Sequence, residues 1–535
     1  MQNKKVWGAF DRLCVTWRRG FVFFDILKKL ALKRMGGNNF WPSLGGVFLF
    51  VKIAKFVIFR VFERVVGKLN FLRYFFSCRS MVKKEMIVGE LPQSRSLYKR
   101  AISMAWPSTL ESVLVGLIGA VDTMMVGSLG HEAISAVGIT VQPRFIFLAF
   151  VLSLNVGVTA VTARRKGQND RAGANGCLKQ ALLLSGGLSL LLSIGAIIFA
   201  EPILRFAGAG DDIISDALDY FRILMVGLFF NSVALTINAA QRGVGKTKIS
   251  MINNVTANVI NIIFNFLLIT GQFGFPRLGV KGAAIATVLG FFVAFVMAIC
   301  SIIKKENFLS VRFRGGWKFE GRTMRGLADV GSSALVEQLC LRFGFFTYAK
   351  IVASLGTMAF AAHQICNNIS TISFCFGDGI AVAASALVGQ SLGEKRPDLS
   401  IIYGKISQRI AMCVSACLAL AFIFGRTFFI SLFSDEAPVI ELGAQVMLVL
   451  AAISLPQTSQ VVISGCLRGA GDTKFVAGVS LVSTAIVRPI IAWLLCYPLN
   501  LGLVGAWVSM LIDQVGRLAC NFARFSTGKW TKKEV

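Results

Sequence analysis

Two acids, Glu111 and Asp122, lie eleven residues apart in one long apolar run. At about 100° per residue, eleven residues return to nearly the same helix face, about 16 Å further along the axis. A carboxyl placed in hydrocarbon must line a cavity, find a partner or be neutralised, so each is a candidate for binding a cation. A later apolar run carries Asn254, Asn258, Asn261 and Asn265, spaced i, i+4, i+7 and i+11, which puts four amides on one face. Facing lipid they would be left unsatisfied, so that face meets protein or water. Hydrogen bonding between helices accounts for such a stripe as well as a ligand site does. The second half of the chain has its own charges in apolar surroundings: Glu337, Arg342, Asp378 between two glycines, and Arg488 just before Pro489. A compensated network of acids and arginines accounts for Asp378 without any titration, and less well for Glu337. Asp513 and Arg517, four apart, read as an ion pair.

Other chemistries find little to stand on. The two histidines, His131 and His363, are far apart, and the twelve cysteines show no metal-type spacing, so no metal site is expected. The cysteines read as small buried hydrophobes. Gly245-Lys246-Thr247 imitates the end of a phosphate-binding loop, but position 240 is Ala where that loop needs Gly. The stretch reads instead as a basic, glycine-bent loop between helices. With no nucleophile, carboxylate dyad or metal set, no catalytic residue is assigned and an enzyme is not expected.

The elements that must position these residues follow from composition. The chain has 535 residues, 55% hydrophobic and 16% charged, with a mean hydropathy of +0.68. Soluble domains carry about 25% charge, and apolar runs of about 20 residues recur here, so this is an all-α integral membrane protein. The net charge of +29 then reflects basic loops facing a cytoplasm and anionic lipid, and no nucleic-acid partner is implied.

A repeat organises the chain. Arg242-Gly-Val-Gly-Lys-Thr-Lys248 returns as Arg468-Gly-Ala-Gly-Asp-Thr-Lys474, a shift of 226 positions. Ser128-Leu129-Gly130 is answered by Ser354-Leu355-Gly356, Gly167 by Gly393 and Glu111 by Glu337 at the same shift. The second copy of the loop puts Asp472 where the first has Lys246, which again removes the lysine a nucleotide would need. Twelve spans are expected, near 101–127, 136–163, 174–200, 215–239, 250–271, 281–303, 327–351, 358–390, 399–425, 438–464, 474–497 and 503–525. Six spans per repeat is an even number, so both copies start on one side. They form two six-helix bundles related by a pseudo-two-fold axis along the membrane normal. Basic loops such as Arg164-Arg165-Lys166 follow the even-numbered spans, which places both termini in the cytoplasm of a multi-pass inner-membrane protein.

The expected organisation is a basic N-terminal extension over residues 1–85, disordered or lying on the membrane surface, and a first bundle over 86–303. A cytoplasmic linker over 304–326 and a second bundle over 327–535 follow. The extension holds sixteen Lys or Arg against three acids in residues 1–80 and no clean span, and is expected to be dispensable.

Several motifs in order resemble the multidrug and toxic compound extrusion (MATE) family. They are Trp106-Pro107, Val121-Asp122-Thr123, both Arg-Gly-x-Gly-x-Thr-Lys loops, Ala361-Ala362-His363-Gln364, Leu387-Val388-Gly389-Gln390 and the ending Arg524 to Trp530. The resemblance covers residues 86–532 and implies cation-coupled export of organic compounds. It is nearest the proton-coupled DinF-like branch, where the first-span acid titrates with an asparagine and an aspartate of the fifth span. Those positions match Asp122, Asn261 and Asn265; the second carboxylate is here an amide, so no acid dyad is available and Asp122 alone can carry the proton. Sodium-coupled relatives carry an acid in the tenth span, where this chain has Ser454, Gln457 and Gln460.

The reading is therefore an antiporter exporting amphipathic or cationic compounds by alternating access, driven by a proton gradient and needing no cofactor. Asp122, Asn261, Asn265 and Glu111 are the cation-coupling candidates; Glu337, Asp378, Arg342 and Asn258 are candidates for the substrate cavity or a second polar site. The partners are a small organic substrate, the coupling cation and the lipid bilayer, with the protein as a monomer. The alternatives are a sodium-coupled version or a flippase for a lipid-linked precursor. The flippase should line its cleft with Arg and Lys, whereas Glu111 and Asp122 lack an obvious cationic partner in the sequence.

Overall fold

The structure, a computed structural model, describes residues 77–303, 307–311 and 320–533, apart from positions 83, 128, 130 and 272. No strand occurs among the described residues. The first bundle consists of α1 (Ser94–Gly127), α2 (His131–Gly167), α3 (Arg171–Ile198), α4 (Ile214–Gly243), α5 (Thr247–Thr270) and α6 (Gly279–Ile303). The second has α7 (Gly321–Ala353), α8 (Thr357–Gly393), α9 (Pro397–Phe424), α10 (Ala437–Gly469), α11 (Thr473–Cys496) and α12 (Gly502–Ser526). Eleven are long and apolar enough to cross a membrane; α7 is long enough, but Arg325, Asp329, Glu337, Arg342 and Lys350 lower its apolarity.

Local sequence explains the boundaries. Asp170 caps α3, its carboxylate accepting from the Gly173 N–H at 2.8 Å. α5 ends on Gly271 at φ +70°, a left-handed position that glycine takes without strain. α11 widens to a π-helical turn over Leu481–Val487, just before Pro489, whose ring cannot sit against an undistorted preceding turn. Two short helices were not anticipated, Ala200–Phe206 and Arg426–Ser431. They occupy the same place in the two copies of the repeat, and at one to two turns neither shows a readable period.

Packing repeats as faithfully as sequence. α1 packs on α5 as α7 packs on α11; α2 on α4 as α8 on α10; α4 on α6 as α10 on α12. Between the bundles the main contacts are α1 with α8, α2 with α7, and α2 with α8. The first two are exchanged by the two-fold and the third maps onto itself. At the end bearing the basic loops, α2 and α8 cross on two glycines. A Cβ on Gly167 would lie 1.9 Å from the Gln390 carbonyl oxygen, and one on Gly393 would lie 2.1 Å from that of Arg164. Residues 164 and 390 are themselves repeat-mates, so the two close approaches are one contact seen twice.

Two segments expected to lie outside the bundles pack against them. Residues 77–82, assigned to the extension, pack onto the second bundle. Cys78, Met81 and Val82 are buried with Tyr403, Ile406 and Trp530, the Met81 carbonyl accepts from Lys405 Nζ at 2.6 Å, and Val88 N–H donates to Asp398. Apolar side chains at 78, 81 and 82 supply a face that the basic composition of the region concealed. Residues 1–76 lie outside the described residues, and with them the expectation that they are disordered or dispensable. Within the linker, residues 307–311 are strapped to the first bundle: Leu309 and Val311 are buried, and Arg171 donates to the carbonyls of Phe308 and Asn307.

Candidate functional site

The duplicated Arg-Gly-x-Gly loop explains itself in three dimensions. Its second glycine, Gly245 or Gly471, turns the chain at φ +87° and +85°. Its first glycine lets a helix end touch a neighbour: a Cβ on Gly243 would lie 2.8 Å from the Thr159 carbonyl oxygen, and one on Gly469 would lie 2.2 Å from that of Ser385. Its arginine reaches inward. Arg242 Nη1 donates to Glu111 Oε1 at 3.3 Å, and Arg468 grips Glu337 with two hydrogen bonds of 2.6 and 3.2 Å. Each pair spans 131 residues.

Both glutamates are buried, 6% and 3% exposed, so each ion pair works in a low dielectric. Ser250 and Asn254 also donate to Glu111, and Ser480 donates to Glu337. The expectation that the acids of the first half lack a cationic partner is therefore corrected for Glu111. Its partner sits on another helix, at the edge of a stretch that reads in sequence as a loop. Among the described residues, Glu111 Oε2 still has no hydrogen-bond partner.

Asp122 is held differently. Asn265 Nδ2 donates to its Oδ1 at 2.8 Å. The Asn261 amide satisfies its surroundings with its nitrogen toward the carboxylate, donating at 2.9 and 3.2 Å to the two oxygens while its own oxygen accepts from Thr287. No Lys or Arg among the described residues forms an ion pair with Asp122; Arg144 acts on it only at longer range. The contacts Glu111–Asn254 and Asp122–Asn265 each span 143 residues, because α1 and α5 run parallel and carry their polar groups at the same eleven-residue interval. Asn258, between the two clusters, makes no hydrogen bond to a described residue. Asn253 and Asn238, which the sequence did not single out, extend the amide network behind the stripe, with Asn253 Nδ2 donating to Asn238 Oδ1 at 2.9 Å.

The remaining charges of the second half separate by role. Asp378 lies on α8 where that helix meets α1. A Cβ on neighbouring Gly379 would fall 2.2 Å from Thr109 Cα, and Ser112 Oγ donates to Asp378 at 3.4 Å. Both Arg242 and Arg468 act on it electrostatically, so Asp378 lies in the field of the arginines of both repeated ion pairs. Asp513 pairs with Arg517 at 3.0 Å, as their spacing suggests, and also with Arg488, which the sequence left unassigned. Arg342 crosses to the other bundle and stacks over Phe145 at 4.4 Å.

A family model described as MatE matches residues 107–267 and again 334–494, once per bundle. The chain belongs to the MatE family. It is thus a membrane transporter and not an enzyme. The chain is 27% identical over 463 residues to "Probable multidrug resistance protein NorM" of Thermotoga maritima, covering 85% of this chain and 97% of that one. It is 25% identical to "Multidrug resistance protein MdtK" of Edwardsiella ictaluri, covering 78% and 92%. Among solved structures, an outward-facing multidrug resistance MATE transporter superposes with a TM-score of 0.77 at 20% identity, covering 81% and 97%. A point mutant of the Vibrio cholerae MATE transporter VcmN superposes at 0.75 and 17%, covering 82% and 99%. At those identities the structures speak for the MatE fold alone.

Proposed function

We propose that this MatE transporter is a proton-driven antiporter that exports organic compounds, with Asp122 carrying the proton. The observation that supports it is the contrast among the acids inside the protein. Glu111, Glu337, Asp472 and Asp513 are all held by Arg or Lys and Asp378 lies in the field of Arg242 and Arg468, whereas half-buried Asp122 is held by two neutral amides. A carboxylate clamped by a guanidinium stays charged through a transport cycle; one held by amides is free to exchange a proton. Neutral Asn265, in place of a second acid, limits the site to one proton. Export by relatives named as multidrug resistance proteins supports the direction of transport and a breadth of small organic substrates.

The basic end is assigned to the cytoplasm, with both termini there and the chain acting as a monomer in the inner membrane. The glycine crossing closes that end, which corresponds to an outward-open state of the cycle. Asn261 and Asn265 orient the carboxylate; Arg242, Arg468 and Asp378 form a fixed charged floor between the bundles.

Proteoliposomes or inside-out vesicles carrying the full chain test this directly. An aromatic dye, ethidium or carboxyfluorescein, should accumulate when a proton gradient is imposed, and neither should when a sodium gradient is imposed alone. Asp122→Asn should abolish accumulation with insertion unchanged. Accumulation driven by sodium alone would reject the proton assignment. A cysteine at Gly210 in a background without native cysteines should label from outside intact cells and one at Gly167 should not; the reverse would overturn the orientation.

A further inference from the structure

Most arginines buried in these bundles are paired with an acid. Arg242 meets Glu111, Arg468 meets Glu337, and Arg488 and Arg517 both meet Asp513. Two half-buried arginines inside the spans break this rule. Arg342, on α7, and Arg144, on α2, make no hydrogen bond or ion pair with any described residue. Their shared contact is the Phe145 ring, 4.4 Å from the Arg342 guanidinium carbon and 5.6 Å from that of Arg144. Arg342 lies eleven residues from the far end of α7, about 16 Å along the axis at 1.5 Å per residue, well within the span.

A guanidinium in that position is costly unless it faces a water-filled or ligand-filled space. Stacking satisfies only its flat face; its N–H edge is a planar fork shaped for two oxygens of one anionic group. The surface between α2 and α7 therefore offers an aromatic platform and an open set of cationic donors. It lies between the two bundles, where an alternating-access transporter carries its cargo.

We infer that Arg342 and Arg144, around Phe145, form a subsite for the carboxylate or sulfonate of an aromatic substrate. Arg342 is the principal anchor, because Asp122 partly offsets the field of Arg144, while no acid faces Arg342 among the described residues. Protonation of Asp122 leaves the Arg342 charge unchanged, so Arg342 selects cargo while Asp122 sets coupling. Planar anions fit this surface in two ways at once, by stacking and by the fork, whereas an organic cation meets repulsion from the same guanidinium. This inference rests on the exporter reading and adds the class of substrate to it.

The test compares two aromatic dyes, anionic carboxyfluorescein and cationic ethidium, in proteoliposomes containing the full chain under a proton gradient. Binding of carboxyfluorescein to the purified full chain is followed in parallel by fluorescence polarisation. The wild type should accumulate carboxyfluorescein and bind it. Arg342→Gln should weaken both by about tenfold or more, the scale of losing charge-assisted hydrogen bonds, with ethidium transport unchanged or raised. Arg342→Lys, which keeps the charge without the fork, should retain part of the carboxyfluorescein transport. Wild-type transport of ethidium without carboxyfluorescein rejects the subsite and leaves the exporter standing. Equal loss of both dyes in Arg342→Gln, unrescued by Lys, also rejects it and makes Arg342 a clamp between bundles. Transport of neither dye by the wild type rejects the exporter reading itself, and the subsite with it.

Discussion

Tyr348 occupies in the second bundle the repeat position that Asp122 occupies in the first. The two-fold thus places a phenol opposite a carboxylate. Tyr348 is buried against His363 at a ring separation of 5.7 Å, and its hydroxyl finds no hydrogen-bond partner among the described residues. An acid on one side only makes the two bundles unequal in what they can do with a proton. Asp122→Asn should abolish gradient-driven dye accumulation, whereas Tyr348→Phe should retain it within about twofold, since a phenol ordinarily titrates near pH 10. Flux measured at fixed proton gradient decides; loss in Tyr348→Phe with Asp122→Asn still active would move coupling to the second bundle.

The two Glu–Arg pairs are expected to hold the bundles rather than to carry protons. Removing one partner of a buried pair strands the other charge, at a cost of about 3 kcal/mol. Glu337→Gln should therefore lower the thermal midpoint of the purified protein, and the double change Glu337→Gln with Arg468→Gln should cost less than the sum of the single changes. Strict additivity would show that the pair contributes nothing beyond its separate parts.

Asp472 gives a pH signature outside the membrane. Burial alone pushes its carboxyl up, but hydrogen bonds from Arg524 and Lys533, together with their charges, outweigh burial and hold it below the usual carboxylate range. A depressed folded value contributes stability above the unfolded value near pH 4 and loses it as pH falls through the folded one. The gap in thermal midpoint between wild type and Asp472→Asn should be full at pH 7 and close as pH falls below about 4. A gap that widens on acidification would reverse the sign.

Much of the fold was legible because a repeat spanning each half of the chain and long apolar runs are global signals. The observed helices extend the expected spans by a few residues, chiefly at their polar ends. Helical spacing put Asn261 and Asn265 on one face, but their grouping with Asp122 could be proposed only because the family resemblance implies it. The Glu111–Arg242 pair could not, because a pairing so distant in sequence depends on where the end of α4 meets α1. The packed face at Cys78, Met81 and Val82 escaped for another reason: three apolar side chains among many basic ones leave composition unchanged while deciding where the segment docks.

That packed segment sets a limit on truncation. A chain starting at residue 77 keeps Cys78, Met81, Val82 and the Lys405 contact, and should match the full chain in thermal midpoint. A chain starting at residue 91 loses them and should melt several degrees lower. Equal midpoints for the two would show that the docking adds no stability.

Closure at the basic end makes the last prediction. Gly167 and Gly393 let α2 and α8 cross with backbone against backbone, and the contact is duplicated by the two-fold. A methyl group on Gly393 would sit 2.1 Å from the Arg164 carbonyl oxygen, and a carbonyl cannot swing aside as a flexible side chain can. Arg100 and Gln390 reinforce the same closure, with Arg100 donating to Gln390 Oε1 and Gln390 donating to the Gly243 carbonyl, each at 2.8 Å. Gly393→Ala should therefore destabilise the state closed at this end and populate the one open there. Spin labels on cysteines replacing the exposed repeat-mates Gln168 and Glu394, in a background without native cysteines, report the separation. Their distance distribution should lengthen in Gly393→Ala, with dye transport falling because the cycle is held on one side. Gln390→Ala, which removes hydrogen bonds without adding bulk, should produce a smaller shift in the same direction. An unchanged distribution and full transport in Gly393→Ala would show that the glycine crossing is not the gate.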